Sequence, residues 1–212
     1  MIAPLSRTLG TVLASLMLAS ALSACAPLVI GGGAVVGAMV ATDRRTTGTQ
    51  VDDQGIELRA SGRITEALGD RVHVNITSYN RQVLITGEVP TEADSQRVLA
   101  IVQNVQNVRS TVNALAVMPN SSLSERSNDT YITGKVRAKL VDIEDLAASS
   151  AFKVITERGE VYFLGRVTQH ESDQLTAAAR SIDGVRKVVR VFEIIPAATA
   201  GQGTATGASG GK

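Results

Sequence analysis

Apolar positions recur along this chain in two rhythms, and the same succession of rhythms occurs twice. In the first passage Ala60, Ile64 and Leu68 fall every four residues, which puts them on one stripe of an amphipathic helix, and Gly69-Asp70 is a stop signal for it. Val72, Val74 and Ile76 then alternate with Arg71, His73 and Asn75, the period of a half-buried strand. Tyr79-Asn80-Arg81-Gln82 predicts a turn into a second strand from Val83 to Ile85, and Pro90, which has no N–H for a ladder bond, closes that strand. Thr91-Glu92-Ala93-Asp94 supplies an N-cap and first-turn acids for a second helix with Val98, Ile101, Val102 and Val105 on its buried face. A last strand is predicted from Arg109 to Val117.

The second passage repeats the order. Asp129 is read as the cap of a helix with Ile132, Val136 and Leu140 inward, Glu157-Arg158-Gly159-Glu160 as a hairpin turn, Gln169 to Ser181 as a helix ended by Asp183-Gly184, and Val185 to Ile195 as the last strand. Three blocks align. Ser61-Gly62-Arg63-Ile64 matches Thr133-Gly134-Lys135-Val136 at an offset of 72, Val83 to Val89 matches Val161 to Val167 at 78, and Val108-Arg109 matches Val185-Arg186 at 77. Blocks in the same order predict a duplicated domain, with a six-residue insertion between Leu140 and Phe152. The expectation is an α+β fold: two tandem αββαβ units, each a three-stranded sheet packed on two helices. The pattern does not specify strand order.

The flanks divide the rest. Arg7, the apolar stretch from Leu9 to Leu22 and the small residues that follow predict a secretory signal over residues 1–24, which is excluded from the fold. Residues 25–54 are read as a cysteine, an apolar glycine-rich tether and a polar linker. The tether, Pro27 to Ala41, is shorter than the roughly 20 residues a hydrocarbon core needs. It can be a flexible strap, or its Gly33-Ala-Val-Val-Gly37 spacing can pack helices in lipid. Residues 55–118 and 129–196 are the two units, 119–128 a Ser/Asn linker, and 197–212 a Gly/Ala/Thr/Ser tail with too little apolar surface to order itself.

Composition narrows the function. Removal of residues 1–24, which hold Arg7 and no acid, leaves 20 basic residues against 20 acidic, a neutral chain that argues against nucleic acid as a partner. Cys25 is the only cysteine, so no disulfide is available, and with no Trp and three Phe the cores must be built from Val, Ile, Leu and Ala. Catalytic and metal-binding chemistry is not expected. His73 and His170 fall in different copies and are read as surface residues, and no phosphate-binding glycine loop or catalytic triad pattern occurs. Asp142, Glu144 and Asp145 are read as a solvated loop or helix end, and Arg186, Lys187 and Arg190 as a solvated sheet edge or a face toward the other unit.

Two resemblances add to this. Leu22-Ser23-Ala24-Cys25 resembles the lipobox of bacterial lipoproteins, which implies cleavage before Cys25 and a covalent diacylglycerol and N-acyl chain on that cysteine in place of any other cofactor. The residue-level alternative is an unpaired cysteine in a cleaved signal or a membrane helix. Ala26, where inner-membrane retention has an aspartate, implies an outer-membrane lipid anchor with the domains in the periplasm. Leu84-Ile85-Thr86-Gly87-Glu88-Val89, Phe163-Leu164-Gly165-Arg166-Val167 and Gly184-Val185 resemble the BON domain, and the first copy departs from it with Asn107 where glycine is expected. Together with the polar linker, they make the chain similar to dual-BON outer-membrane lipoproteins. That resemblance implies a non-enzymatic protein that supports envelope integrity and binds anionic phospholipid through helix 1 of the second BON domain. Tyr131, Lys135 and Lys139, at i, i+4 and i+8 with Arg137 nearby, are the candidate phospholipid-binding residues. An aromatic ring flanked by lysines suits a headgroup layer, although the same stripe serves as an ordinary solvated face. The matching first-copy stripe is read as Arg59, Arg63 and Ala67. The alternative is a module that docks on envelope proteins or peptidoglycan.

Overall fold

The computed structural model describes residues 43–143, 146 and 150–200, all within one compact unit, Met39–Lys212. The signal segment, Cys25 and the tether lie outside the described residues, as do Glu144, Asp145 and 201–212.

The first repeat runs α1 (Thr47–Leu68), a 3-10 turn (Gly69–Arg71), β1 (His73–Tyr79), β2 (Gln82–Val89), α2 (Glu92–Gln103) and β3 (Ser110–Val117). The second runs α3 (Leu123–Val141), β4 (Phe152–Glu157), β5 (Glu160–Val167), α4 (Gln169–Arg180) and β6 (Lys187–Ile194), followed by a helical turn, α5 (Ala197–Ala200), where a tail was expected. In both sheets the second strand is central: the hairpin is antiparallel, and the third strand returns parallel to the middle one after the helical crossover.

Each sheet has two covered faces. On one, Val83, Ile85 and Val89 of β2 meet Ile56, Ala60, Ile64 and Leu68 of α1 and Val98 and Val102 of α2; Val161, Phe163 and Val167 of β5 do the same beneath α3 and α4. On the other, Leu84 with Val112 and Ala114 meets Tyr162, Leu164, Val189 and Val191, with Tyr79 and Ile155 beside them, so the two sheets pack face to face with helices outside. Complete burial of Leu84 and Leu164 contributes about 1.5–3 kcal/mol each. The faces assigned to solvent are therefore partly the seam between repeats.

Both first helices begin earlier than expected. Thr46 caps α1, accepting from Thr49 N, and Ser122 with Glu125 forms a capping box for α3, so residues 123–128 are helix and not linker. Asp129 caps nothing. It lies buried inside α3 and accepts the amides of Arg158 and Gly159 at 2.7 and 2.8 Å, as Asp53 inside α1 accepts those of Asn80 and Arg81 at 2.8 and 2.7 Å. These four turn residues all have φ between +52° and +71°, the left-handed pair of a tight hairpin turn whose inward amides need an acceptor.

Thr46 to Ser122 and Asp53 to Asp129 are each 76 positions apart, so the helix alignment at 72 is one turn out of register. The insertion before Phe152 is two residues, not six. Asn107 follows from the same superposition: at φ +73° it takes the left-handed place that Gly184 takes at +97°, which asparagine tolerates, and its Nδ2 donates to Asp52 at 2.7 Å.

Candidate functional site

Two regions concentrate exposed or charged chemistry: the outer face of α3 and the rim of the seam. On α3 the turn-by-turn burial of Asp129, Ile132, Val136 and Leu140 turns Tyr131 and Lys139 outward. Tyr131 is 65% exposed, and the Lys135 ammonium stands 4.9 Å from its ring centroid, a cation–π contact. Lys135 Nζ also donates to the carbonyl of Asp183, so this side chain ties α3 to the loop before β6. Lys139 is free apart from a 4.0 Å approach to exposed Asp142, an ion pair of little weight.

Arg137 does not join this ridge. It leaves the opposite flank of α3 toward β4, where Nη2 donates to the Val154 carbonyl at 3.4 Å and the side chain lines a cleft with Arg126, Thr130 and Thr133. In the corrected register the first-copy counterparts of Tyr131, Lys135 and Lys139 are Gly55, Arg59 and Arg63, not Arg59, Arg63 and Ala67. Arg59 donates to Gln106 O at 3.4 Å as Lys135 does to Asp183 O, so the cation at this position braces the fold in both copies. What separates the copies is the ring: glycine in α1, exposed tyrosine in α3.

The second region was not anticipated. Glu88 is fully buried on the seam face of β2, with Oε1 taking Arg158 Nη1 at 2.9 Å and Oε2 taking His73 Nδ1 at 2.8 Å and the amide and hydroxyl of Ser121. Burial pushes this carboxyl upward, and the hydrogen bonds from His73, Arg158 and Ser121 outweigh it, holding it below the usual range. His73, expected on the solvated side of its strand, is thus half-buried against the second repeat. His170 is exposed at the start of α4. Beside this cluster Asn75 Nδ2 donates to Glu157 Oε2 at 3.0 Å across the seam.

At the other end of the seam the segment read as linker is a strap. Arg44 pairs with Glu171 at 2.6 Å and donates to the Arg166 carbonyl, and Arg166 returns a bond to the Arg44 carbonyl. Arg45 pairs with Asp43 and Asp53 and lies 4.1 Å from the Tyr79 ring centroid. Burial and the nearby Asp43 raise the Tyr79 hydroxyl well above its ordinary value, so it stays protonated and donates to the Ser150 carbonyl at 3.3 Å. Residues 43–45 are therefore fixed to both repeats.

Arg186 and the β6 residues Lys187 and Arg190 each have a partner. Lys187 pairs with Glu160 at 3.3 Å, Arg190 with Asp173 at 3.6 Å, and Arg186 donates to the Arg158 carbonyl at 3.4 Å.

Two αββαβ units whose central strands carry Ile85-Thr86-Gly87-Glu88-Val89 and Phe163-Leu164-Gly165-Arg166-Val167, with Gly87 and Gly165 where the edge strand crosses closest, define a tandem BON protein. The BON domain family matches residues 52–119 and 128–196, and the chain belongs to it. It is 38% identical over 176 residues to the outer membrane lipoprotein DolP of Haemophilus influenzae, covering 82% of this chain and 90% of that one. It is 30% identical to a 21 kDa hemolysin of Actinobacillus pleuropneumoniae (72% and 79% covered) and 27% identical to the osmotically-inducible protein Y of Escherichia coli (72% and 77%).

Proposed function

We propose that this chain is a non-enzymatic periplasmic lipoprotein, held in the outer membrane by acyl chains on Cys25, that binds anionic phospholipid through α3 of its second BON domain and supports envelope integrity. The observation that carries the reading is Tyr131, an aromatic ring 65% exposed on the outer helix layer with Lys135 against it and Lys139 two turns along. A ring at headgroup depth beside ammonium groups is an interfacial arrangement, worth about 1 kcal/mol per cation near an anionic surface. The similarity to an outer membrane lipoprotein supports the address. Among the described residues no helix is long and apolar enough to cross a membrane.

Flotation of the chain from Ala26 onward tests the lipid step. The protein is expected to rise with phosphatidylglycerol-containing vesicles and not with phosphatidylcholine alone. Tyr131→Ala with Lys135→Glu should lower binding about tenfold, the equivalent of one or two headgroup contacts. Lys139→Glu, which disturbs only an exposed pair, should lower it severalfold, while Arg137→Ala should change little. Equal flotation with both vesicle types, or full binding by the double variant, overturns the lipid reading. If a stoichiometric envelope protein is then recovered by crosslinking, the surface is a protein-docking one.

The anchor has its own test. Cys25→Ser chains should fold as before yet leave the membrane fraction, because one or two weak headgroup contacts cannot replace acyl chains that contribute about 0.8 kcal/mol per buried methylene. Unchanged fractionation with membranes would remove Cys25 as the anchor.

A further inference from the structure

The seam cluster holds a donor set whose hydrogen bonding is incomplete. Glu157 is 3% exposed, yet its carboxylate, with acceptor room for about four hydrogen bonds, receives one, from Asn75. Glu157 also lines a cleft, which leaves its carboxylate open to a further partner. Facing it are His73 and Glu88, and one ring nitrogen and one oxygen of each carboxylate lie within 4.8 Å of one another. The 2.8 Å contact between His73 Nδ1 and Glu88 Oε2 holds a proton where an imidazole and a carboxylate could instead share a cation. A cleft of about 430 Å³ lined by His73, Asn75 and Glu157 opens to this point and gives an ion a way in.

We propose that His73, Glu88 and Glu157 bind one divalent transition-metal ion, Zn²⁺ being the type that fits one imidazole and two carboxylates, with water in the fourth position. Ligand distances of about 2.0–2.2 Å place such donors a little over 3 Å apart, so the cluster closes on an ion by small side-chain movements. Binding through Nδ1 moves the ring proton to Nε2, and a flip of the Asn75 amide, whose nitrogen is 3.5 Å from Nε2, turns its oxygen to accept that proton while Glu157 turns to the ion. Arg158 keeps Glu88 Oε1 and orients that ligand from behind. Glu88, Glu157 and Arg158 sum to minus one beside a neutral imidazole, so a divalent ion leaves a net charge of plus one, and Arg126, which also lines the cleft, is committed to Ser121 O and Oγ. Because His73 and Glu88 belong to the first repeat and Glu157 to the second, the ion would clamp the seam.

Titration of the chain from Ala26 onward with ZnCl₂, after removal of metal by chelator, reads this directly. Saturable binding of one ion per chain is expected, with a rise in Tm of the wild type. His73→Gln and Glu157→Gln should each weaken binding at least tenfold, and His170→Gln should not change it. In the folded wild type, ¹⁵N spectra should show the His73 ring proton passing from Nδ1 to Nε2 as Zn²⁺ is added, a signature that does not depend on any variant folding. No saturable binding, binding indifferent to Glu157→Gln, or an unmoved His73 ring overturns the proposal.

Discussion

Gly87→Ala is expected to unfold the first repeat while Gly62→Ala leaves it intact or stabilises it. At Gly87 φ is +112°, and a Cβ there would stand 1.9 Å from the carbonyl oxygen of His73 and 3.2 Å from Val74 Cα, all backbone of the paired strand. No rotamer relieves that contact, so β1 must separate from β2 at the Val74–Gly87 pair, and the positive φ adds about 1–3 kcal/mol of strain. Loss of the edge strand also strips cover from Val83 and Ile85 and shifts His73 away from Glu88. Together these effects put the cost at about 4 kcal/mol or more, a large part of what holds a domain of this size. Gly165 in the second repeat is comparably blocked, with the Ala151 carbonyl oxygen at 2.4 Å. Gly62 is exposed in mid-helix, where an added methyl would meet nothing within 4 Å, and replacing glycine there with alanine should contribute up to about 1 kcal/mol. Urea midpoints for the three alanine variants check the order; a Gly87→Ala protein as stable as Gly62→Ala would refute the close-approach account of the motif glycine.

The same motif shows how much of the fold was legible before the structure. Period-four and period-two patterns located the helices and strands, and the glycine-centred block revealed the duplication, because local hydrophobic spacing is what those signals record. Helix starts were missed for a definite reason. Asp129 stands before an apolar stripe and looks like a cap, but its carboxylate is spent on hairpin amides that are distant in sequence. Aligning Asp53-Gln54-Gly55-Ile56 with Asp129-Thr130-Tyr131-Ile132 would have exposed both the true register and the shared role. The seam was also partly readable: Val83-Leu84-Ile85 and Val161-Tyr162-Phe163-Leu164 are apolar on both strand faces, as a strand covered twice must be. What no spacing could show was that His73, Glu88 and Glu157, drawn from three strands and two repeats, converge. Of the candidate lipid ridge, Tyr131, Lys135 and Lys139 follow from helical spacing alone, and Arg137, two residues on from Lys135, falls on the other flank for the same geometric reason.

Arg158→Ala is expected to be the most damaging single truncation at the seam. The guanidinium donates to Gly87 O at 2.9 Å, Glu88 Oε1 at 2.9 Å and Ala114 O at 3.3 Å, so one side chain of the second repeat satisfies three acceptors of the first. Without it Glu88, fully buried in the intact chain, keeps a charge supported only by His73 and Ser121, and removing one partner of a buried pair typically costs about 3–5 kcal/mol. Much of that cost is the stranded charge. Arg158→Ala with Glu88→Gln should therefore recover a substantial part of the loss, and a strictly additive double variant would show that the pair does not couple. Acid titration gives the sign independently. Glu88 sits below its ordinary value of 4.5 in the folded chain, so the unfolded chain takes up its proton first as pH falls. Its contribution is complete above that ordinary value and is lost as pH drops through the lower folded one. With chelator present to keep the seam metal-free, Glu88→Gln should flatten the stability profile in that acid window. Arg158→Ala should make the profile shallower there, because the group that most directly opposes the burial of Glu88 from the facing repeat is gone. A Glu88→Gln profile as steep as that of the wild type would place the acid sensitivity elsewhere, on Glu171 or Glu193, whose carboxyls are also held low by hydrogen bonds from Arg44 and Arg109 despite burial.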